Sequence, residues 1–369
     1  MRVAPIRLTL FVFVPALAFL LAGCTRAGDS AQAVGLTTTS PTLRVEATTA
    51  DYRQPTRTAV KEGEPNQATL TAIPSPAPGS GSLPLSPTLL ATVTALPPSP
   101  TPCTSGTCIQ SGSFVFQRPI FPPGRNTIDT TYRFGTTANG ERDVHHGVEL
   151  LNSTGTPVHA AADGIVIVAG DDRKVFQGPY SYFYGNLVVL EHHFSGFTAP
   201  VYSLYAHLSA IDVELGQRVQ VGQEIGKVGM TGIATGSHLH FEVRYGENSY
   251  AASRNPELWL QPLDDESGKP MGALAGAILD EHGQILDVEN LVVEHLTSQE
   301  GHSDWEIYLR TYEEQGLRGE PPWEESFALG DLPAGWYRLS FVQYGMQSLL
   351  FQVLPGQLTR VVLPLSPNF

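Results

Sequence analysis

Gly236-Ser237-His238-Leu239-His240-Phe241-Glu242-Val243-Arg244 is the stretch on which the reading turns. From His238 onward it has the composition of a strand. Residues two apart on a strand share a face, so the His238 and His240 imidazoles are expected to point the same way. The chain on either side has the same character. Short β-type runs, bounded by Gly and Pro, recur at 158–162, 164–169, 186–191, 201–207 and 224–228. No stretch between Val144 and Val243 sustains a helical period, so an antiparallel β domain with short connections is expected over 114–262.

After Asn255-Pro256 a second β region is expected over 263–369. Alternation is visible in Trp305-Ile307-Leu309, Tyr337-Leu339-Phe341 and Leu349-Phe351-Val353, and Asp280-Glu281-His282-Gly283 reads as a turn between apolar runs. About seven strands at this spacing suggest a small β-sandwich. Asp331-Leu332-Pro333-Ala334-Gly335-Trp336-Tyr337 resembles a turn of prealbumin-like and carboxypeptidase-regulatory-like domains. That resemblance implies a structural or adhesive module and names no ligand.

Residues 25–113 are rich in Thr, Pro, Ser and Ala and poor in aromatics. Such a composition buries too little apolar surface to offset chain entropy, so a disordered, polyproline-like stalk is expected. Residues 1–24 read as a signal peptide: Arg2 and Arg7 precede the apolar run Leu8–Leu21, and Leu21-Ala22-Gly23-Cys24 resembles a bacterial lipobox. A lipid anchor at Cys24, and a place in the cell envelope outside the cytoplasmic membrane, are expected. In an exported chain the nearby Cys103 and Cys108 are expected to form a disulfide rather than a metal site. The formal net charge of −14 argues against nucleic acid as a partner. From Asp264 onward 17 acidic residues face 5 basic ones, so a protein partner is a further expectation for that region.

The residues that carry chemistry cluster in the first β region. His145 and Glu149 are four apart, an even spacing that places both on one face of an extended segment, with His146 turned away. A third piece is Tyr205-Ala206-His207-Leu208. A hydrolytic zinc site takes three ligands from His and carboxylate and leaves a position for water. Two histidines and a carboxylate meet that need, with two histidines to spare. Each piece alone has a plainer reading, as a surface pair or a buried, satisfied histidine. Their occurrence together is what points to a metal.

With the flanking residues the pieces resemble the lysostaphin/LytM-type peptidases. His145-His146-Gly147-Val148-Glu149 and Gly155-Thr156-Pro157-Val158 open the series. Tyr184-Gly185-Asn186, Tyr205-Ala206-His207-Leu208 and Gly236-Ser237-His238-Leu239-His240-Phe241 follow in the same order, over about 115 residues. The resemblance implies an all-β, two-sheet fold of the duplicated-hybrid-motif type with a groove over one sheet. It further implies Zn2+ held by His145, Glu149 and His240, with His207 and His238 as catalytic histidines. The implied activity is hydrolysis of peptide cross-links in peptidoglycan. The family has Asp where this chain has Glu149. The alternative is therefore a catalytically impaired domain that binds the wall and regulates other murein hydrolases. The aromatic-rich insertion Asp171–Tyr184 is expected either to line the groove or to pack onto the sheet. The Leu215–Gln223 stretch also resembles biotinyl/lipoyl hairpins, but no lysine is placed to carry the cofactor.

Overall fold

The computed structural model describes residues 105–313, 317, 319 and 325–365. They fall in one compact unit, Thr88–Phe369. The leader, Cys24, Cys103 and nearly all of the stalk lie outside the described residues. Cys108 is disulfide-bonded.

Among the described residues there is no α-helix; two single 3-10 turns, Tyr250–Ala252 and Pro256–Leu258, interrupt an otherwise all-β chain. The first region is built on a seven-stranded antiparallel sheet. Its order is Ser253–Arg254, His238–Tyr245, Val201–Ala206, Asn186–His192, Gly164–Asp171 and Arg218–Val219, with Val148–Leu151 also paired to His238–Tyr245. A three-stranded sheet of Pro157–His159, Glu224–Lys227 and Ala210–Ile211 packs against it. This is the two-sheet all-β domain the sequence leads one to expect.

The strand His238–Tyr245 explains the arrangement. Its odd residues Leu239, Phe241 and Val243 are wholly buried in the main apolar core, beside Val148, Leu150, Tyr205 and Trp259. Its even residues are His238, His240, Glu242 and Arg244, also buried, but on the other face. Period-two alternation thus sends every apolar side chain into the core and sets a line of four polar ones on the opposite surface.

The C-terminal region is two four-stranded sheets. One runs Ser303–Leu309, Leu291–Leu296, Gly335–Val342, Met346–Val353. The other runs Gly106–Ser111, Gln357–Pro364, Gly272–Leu279, Phe327–Leu332, with Gly272–Leu279 parallel to Gln357–Pro364. Leu274, Ile278, Phe327, Tyr337, Leu339, Phe351 and Val353 fill the space between them. The seven expected strands are present, and an eighth is added by Gly106–Ser111. That strand corrects the expected extent of the stalk, which was to reach Ser113. Gly106–Ser111 carries no apolar alternation of its own and is recruited through the backbone ladder to Gln357–Val362.

Candidate metal centre

Register brings the candidate residues together. Glu149 lies opposite His240 on one side of the His238–Tyr245 strand, and Ala206 lies opposite His240 on the other. His207 follows Ala206 at the strand end. Glu149 and His240 therefore stand side by side across the sheet with His238 one pleat away, and the His207 ring lies 5.6 Å from that of His240 and 4.9 Å from that of His238. His145 is not on the strand with Glu149, as its even spacing suggested: the strand begins at Val148, and His145 is delivered by the preceding loop. Gly147 lets that loop pass close by. A Cβ there would stand 2.7 Å from His240 Nε2 and 2.6 Å from the Phe241 carbonyl oxygen. His207 has a left-handed backbone with φ of 60°, a conformation that costs a non-glycine residue energy and is found disproportionately at functional sites.

The five residues His145, Glu149, His207, His238 and His240 are all buried and all line one cleft of about 470 Å³. Hydrogen bonds fix the imidazole tautomers. His145 Nδ1 lies 2.7 Å from the Tyr132 carbonyl oxygen and must donate to it, leaving Nε2 as a lone pair. His240 Nε2 lies 3.0 Å from Glu242 Oε1. Burial alone would raise the Glu242 carboxyl, but Arg244 and the hydrogen bonds from His240 and Tyr184 hold it down at about 2. It is ionised, so His240 Nε2 donates and Nδ1 is the lone pair. These two lone pairs, His145 Nε2 and His240 Nδ1, face each other at 3.2 Å. Burial first, and then the His240 ring, hold the His145 imidazolium well below its usual range. A proton shared between the rings is thus disfavoured, and a cation between them removes the repulsion. Two nitrogen ligands of tetrahedral zinc, at about 2.05 Å from the ion, stand about 3.3 Å apart. The donor atoms of His145, Glu149 and His240 all lie within 4.8 Å of one another. The residue set fits zinc by donor type and by spacing.

The supporting contacts fit too. His145 stacks on Tyr132 with ring centroids 4.0 Å apart. Glu242 bridges His240 to Arg244, whose Nε is 2.9 Å away, and accepts from the Tyr184 hydroxyl. Carboxylate and carbonyl acceptors behind ligand histidines fix ring orientation and raise donor strength. Glu149 Oε1 lies 3.7 Å from Arg142 and 3.6 Å from His238 Nε2. His207 Nδ1 donates to the Thr231 carbonyl oxygen at 2.8 Å, and His238 Nδ1 to that of Gly236 at 2.9 Å. Both rings therefore present Nε2 as the basic nitrogen, and that of His238 is buried with no hydrogen-bond partner. Burial, then the His240 and His238 rings, push the His207 imidazole down to about 3.

His146, expected to turn away, stands at the margin of the cleft, where it stacks on Tyr250 at 3.7 Å and meets Ser253 Oγ at 2.8 Å. The aromatic insertion divides its roles. Tyr180 and Phe183 line the cleft, Tyr184 is buried beneath it, and Phe176 is exposed. Sequence reasoning assigned no role to Tyr132, Arg142, Glu242 or Arg244. For the last two a signal was present, since they share the face of His238 and His240.

A two-sheet β domain with this cleft and this set of histidines defines a metallopeptidase-like class. Residues 143–252 match Peptidase family M23, and this segment is a peptidase M23 domain of the LytM/lysostaphin type. Among curated proteins, similarity extends to the cell division protein DipM of Caulobacter vibrioides, 32% identical over 150 residues, or 39% of this chain and 22% of that one. Peptidoglycan DD-endopeptidase ShyA of Vibrio cholerae is 39% identical over 99 residues, 27% of this chain and 20% of that one. DD-carboxypeptidase/endopeptidase Mpg of Neisseria meningitidis is 43% identical over 101 residues, again 27% and 20%. The chain spans about a fifth of the length of these relatives. Among solved structures, the lysostaphin catalytic domain of Staphylococcus simulans is 30% identical with a TM-score of 0.29, covering 35% of this chain and 88% of that one. A zinc-containing peptidase from Vibrio cholerae is 34% identical with a TM-score of 0.29, covering 37% and 38%.

Proposed function

We propose that the chain is a zinc-dependent endopeptidase of the cell envelope that hydrolyses peptide cross-links in peptidoglycan. The observation that carries this reading is the opposed lone pairs of His145 and His240 beside Glu149 in a buried cleft. The M23 domain and the peptidoglycan endopeptidases among its relatives support the substrate. His145 through Nε2, His240 through Nδ1 and Glu149 would hold the ion. Zinc bound there supplies Lewis-acid polarisation of the scissile carbonyl and a more acidic water.

The chain's own residues supply the rest. His207 and His238 are neutral, with their Nδ1 protons engaged by carbonyl oxygens, so each offers Nε2 to the cleft. One accepts the proton that the attacking water loses and delivers it to the departing amine; the other accepts a hydrogen bond from that water through its Nε2 and orients it for attack. Tyr132, stacked on His145, and Glu242, behind His240, hold those rings in place. Tyr180 and Phe183 give the cleft an apolar wall against which an extended peptide can lie.

A second reading, a wall-binding regulator of other hydrolases, is favoured by one observation. Glu149 is a methylene longer than the family's Asp, and its carboxylate lies near Arg142. Digestion of purified peptidoglycan by the zinc-loaded full chain, with products read by mass spectrometry, separates the two. Loss of cross-linked species, absent with His238→Ala, is expected. Bound zinc without cleavage would put the regulator in the enzyme's place.

A further inference from the structure

The loop that delivers His145 is gripped by the C-terminal sandwich. Just past the strand Ser303–Leu309, Glu313 reaches the loop with both backbone and side chain. Its N–H donates to the Gly135 carbonyl oxygen at 2.7 Å. Its carboxylate accepts from Thr137 N–H at 3.0 Å and from Thr137 Oγ1 at 2.7 Å. The gripped turn passes the contact on. Gly135 N–H donates to the His145 carbonyl oxygen at 2.8 Å, His145 N–H to that of Thr136 at 3.0 Å, and Arg142 N–H to that of Thr137 at 3.0 Å. Beside it the Tyr312 ring lies so close to Gly135 that a Cβ there would come within 2.3 Å of it. Phe134 meets the same ring edge-on at 5.2 Å.

We propose that Glu313 is a positioning residue of the metal centre, and that the C-terminal sandwich sets the geometry of the peptidase site by holding the 134–145 loop. The physical reason is that His145 sits on no regular strand. Among the described residues its backbone hydrogen bonds run to Gly135 and Thr136, and that turn is held by Arg133 from within and by Glu313 from outside. Ligand atoms tolerate displacements of only a few tenths of an ångström. A turn freed at Thr137 widens the distribution of His145 Nε2 positions and lowers metal affinity without touching a ligand.

This inference rests on the metal-site reading above. It is tested on the full chain by zinc affinity from chelator competition, alongside thermal melting of the metal-free protein. Glu313→Ala is expected to weaken zinc binding roughly tenfold or more, the scale seen for outer-shell partners. Glu313→Gln, which keeps an acceptor for Thr137 N–H, is expected to recover most of the loss. Arg118→Gln removes another contact between the two β regions, the 2.6 Å bridge to Asp331. It is expected to lower the melting temperature while leaving zinc affinity unchanged. Should Glu313→Ala fail to fold, Thr137→Val removes one hydrogen bond to the carboxylate and must still weaken zinc binding. Equal affinities in wild type, Glu313→Ala and Thr137→Val would overturn the positioning role alone. No zinc binding by wild type would overturn the metal-site reading and this inference with it.

Discussion

His240 is held on three sides, and each contact has a separate consequence. Glu242 accepts a hydrogen bond from its Nε2, His145 faces its Nδ1, and Gly147 lies beneath its ring. Gly147→Ala introduces a methyl where there is room for none, and the nearest neighbours are a ring edge and a backbone carbonyl rather than a flexible chain end. The His240 ring must shift, and zinc affinity in the purified protein is expected to fall by more than tenfold, with the fold retained by circular dichroism. Ligands and proton carriers are expected to separate in the same way. His240→Ala loses zinc and cleavage together, whereas His238→Ala keeps zinc and loses cleavage; metal analysis and peptidoglycan digestion on one preparation would show the split. If His238→Ala also loses zinc, its assigned role is wrong. At this scale the sequence was legible wherever chemistry follows alternation. His238, His240, Glu242 and Arg244 fall on one face by counting alone. His145 reached the site by a loop path that spacing cannot describe, and Tyr132 met it only through tertiary contact.

Strands in this domain serve core and site at once, which leaves polar groups buried inside the sheets. His192, at the end of Asn186–His192, lies 2.7 Å from the Asp163 carbonyl oxygen and 2.7 Å from Ser203 Oγ. Burial, opposed by the Asp163 contact, pushes it down to about 4. The unfolded chain takes up a proton on this ring near pH 6.5 and the folded chain only near pH 4, so stability present above pH 6.5 is lost as pH falls through that window. The loss attributable to this ring is about 3 kcal/mol. Urea titrations at pH 7 and pH 4.5 are expected to show a smaller acid loss in His192→Gln than in wild type; equal losses would remove the effect. Element boundaries were read well where an apolar run alternates, as at 186–191, 201–207 and 238–244. Gly106–Ser111 escaped because an edge strand that contributes little to a core leaves no hydrophobic pattern.

Across the whole molecule the two β regions share packing. Ala273, Ala275, Ala328 and Leu358 of the C-terminal sheets belong to the same buried cluster as Phe116, Val148 and Trp259. The buried Glu257 receives both Arg133 Nη1, at 2.7 Å, and the Gly330 N–H, at 2.8 Å. Unfolding in urea is therefore expected as one transition, with tryptophan fluorescence and far-ultraviolet circular dichroism coinciding. Two resolved transitions would show that the shared core does not couple the regions. A composition change and a proline near 256 told the regions apart in the sequence. Nothing in the sequence told that their cores merge, since the joining residues are mainly small and dispersed.

The pairing of Gly106–Ser111 with Gln357–Val362 has a consequence for biosynthesis. The first strand leaves the ribosome roughly 250 residues ahead of its partner and must wait for it, because a β ladder this non-local cannot close early. The C-terminal sheet is thus finished only when residues 357–362 have emerged on the same side of the membrane as Gly106–Ser111. A nascent or truncated chain presents two open edges, at Gly106–Ser111 and at Gly272–Leu279, to whatever chaperone or neighbouring chain meets it first.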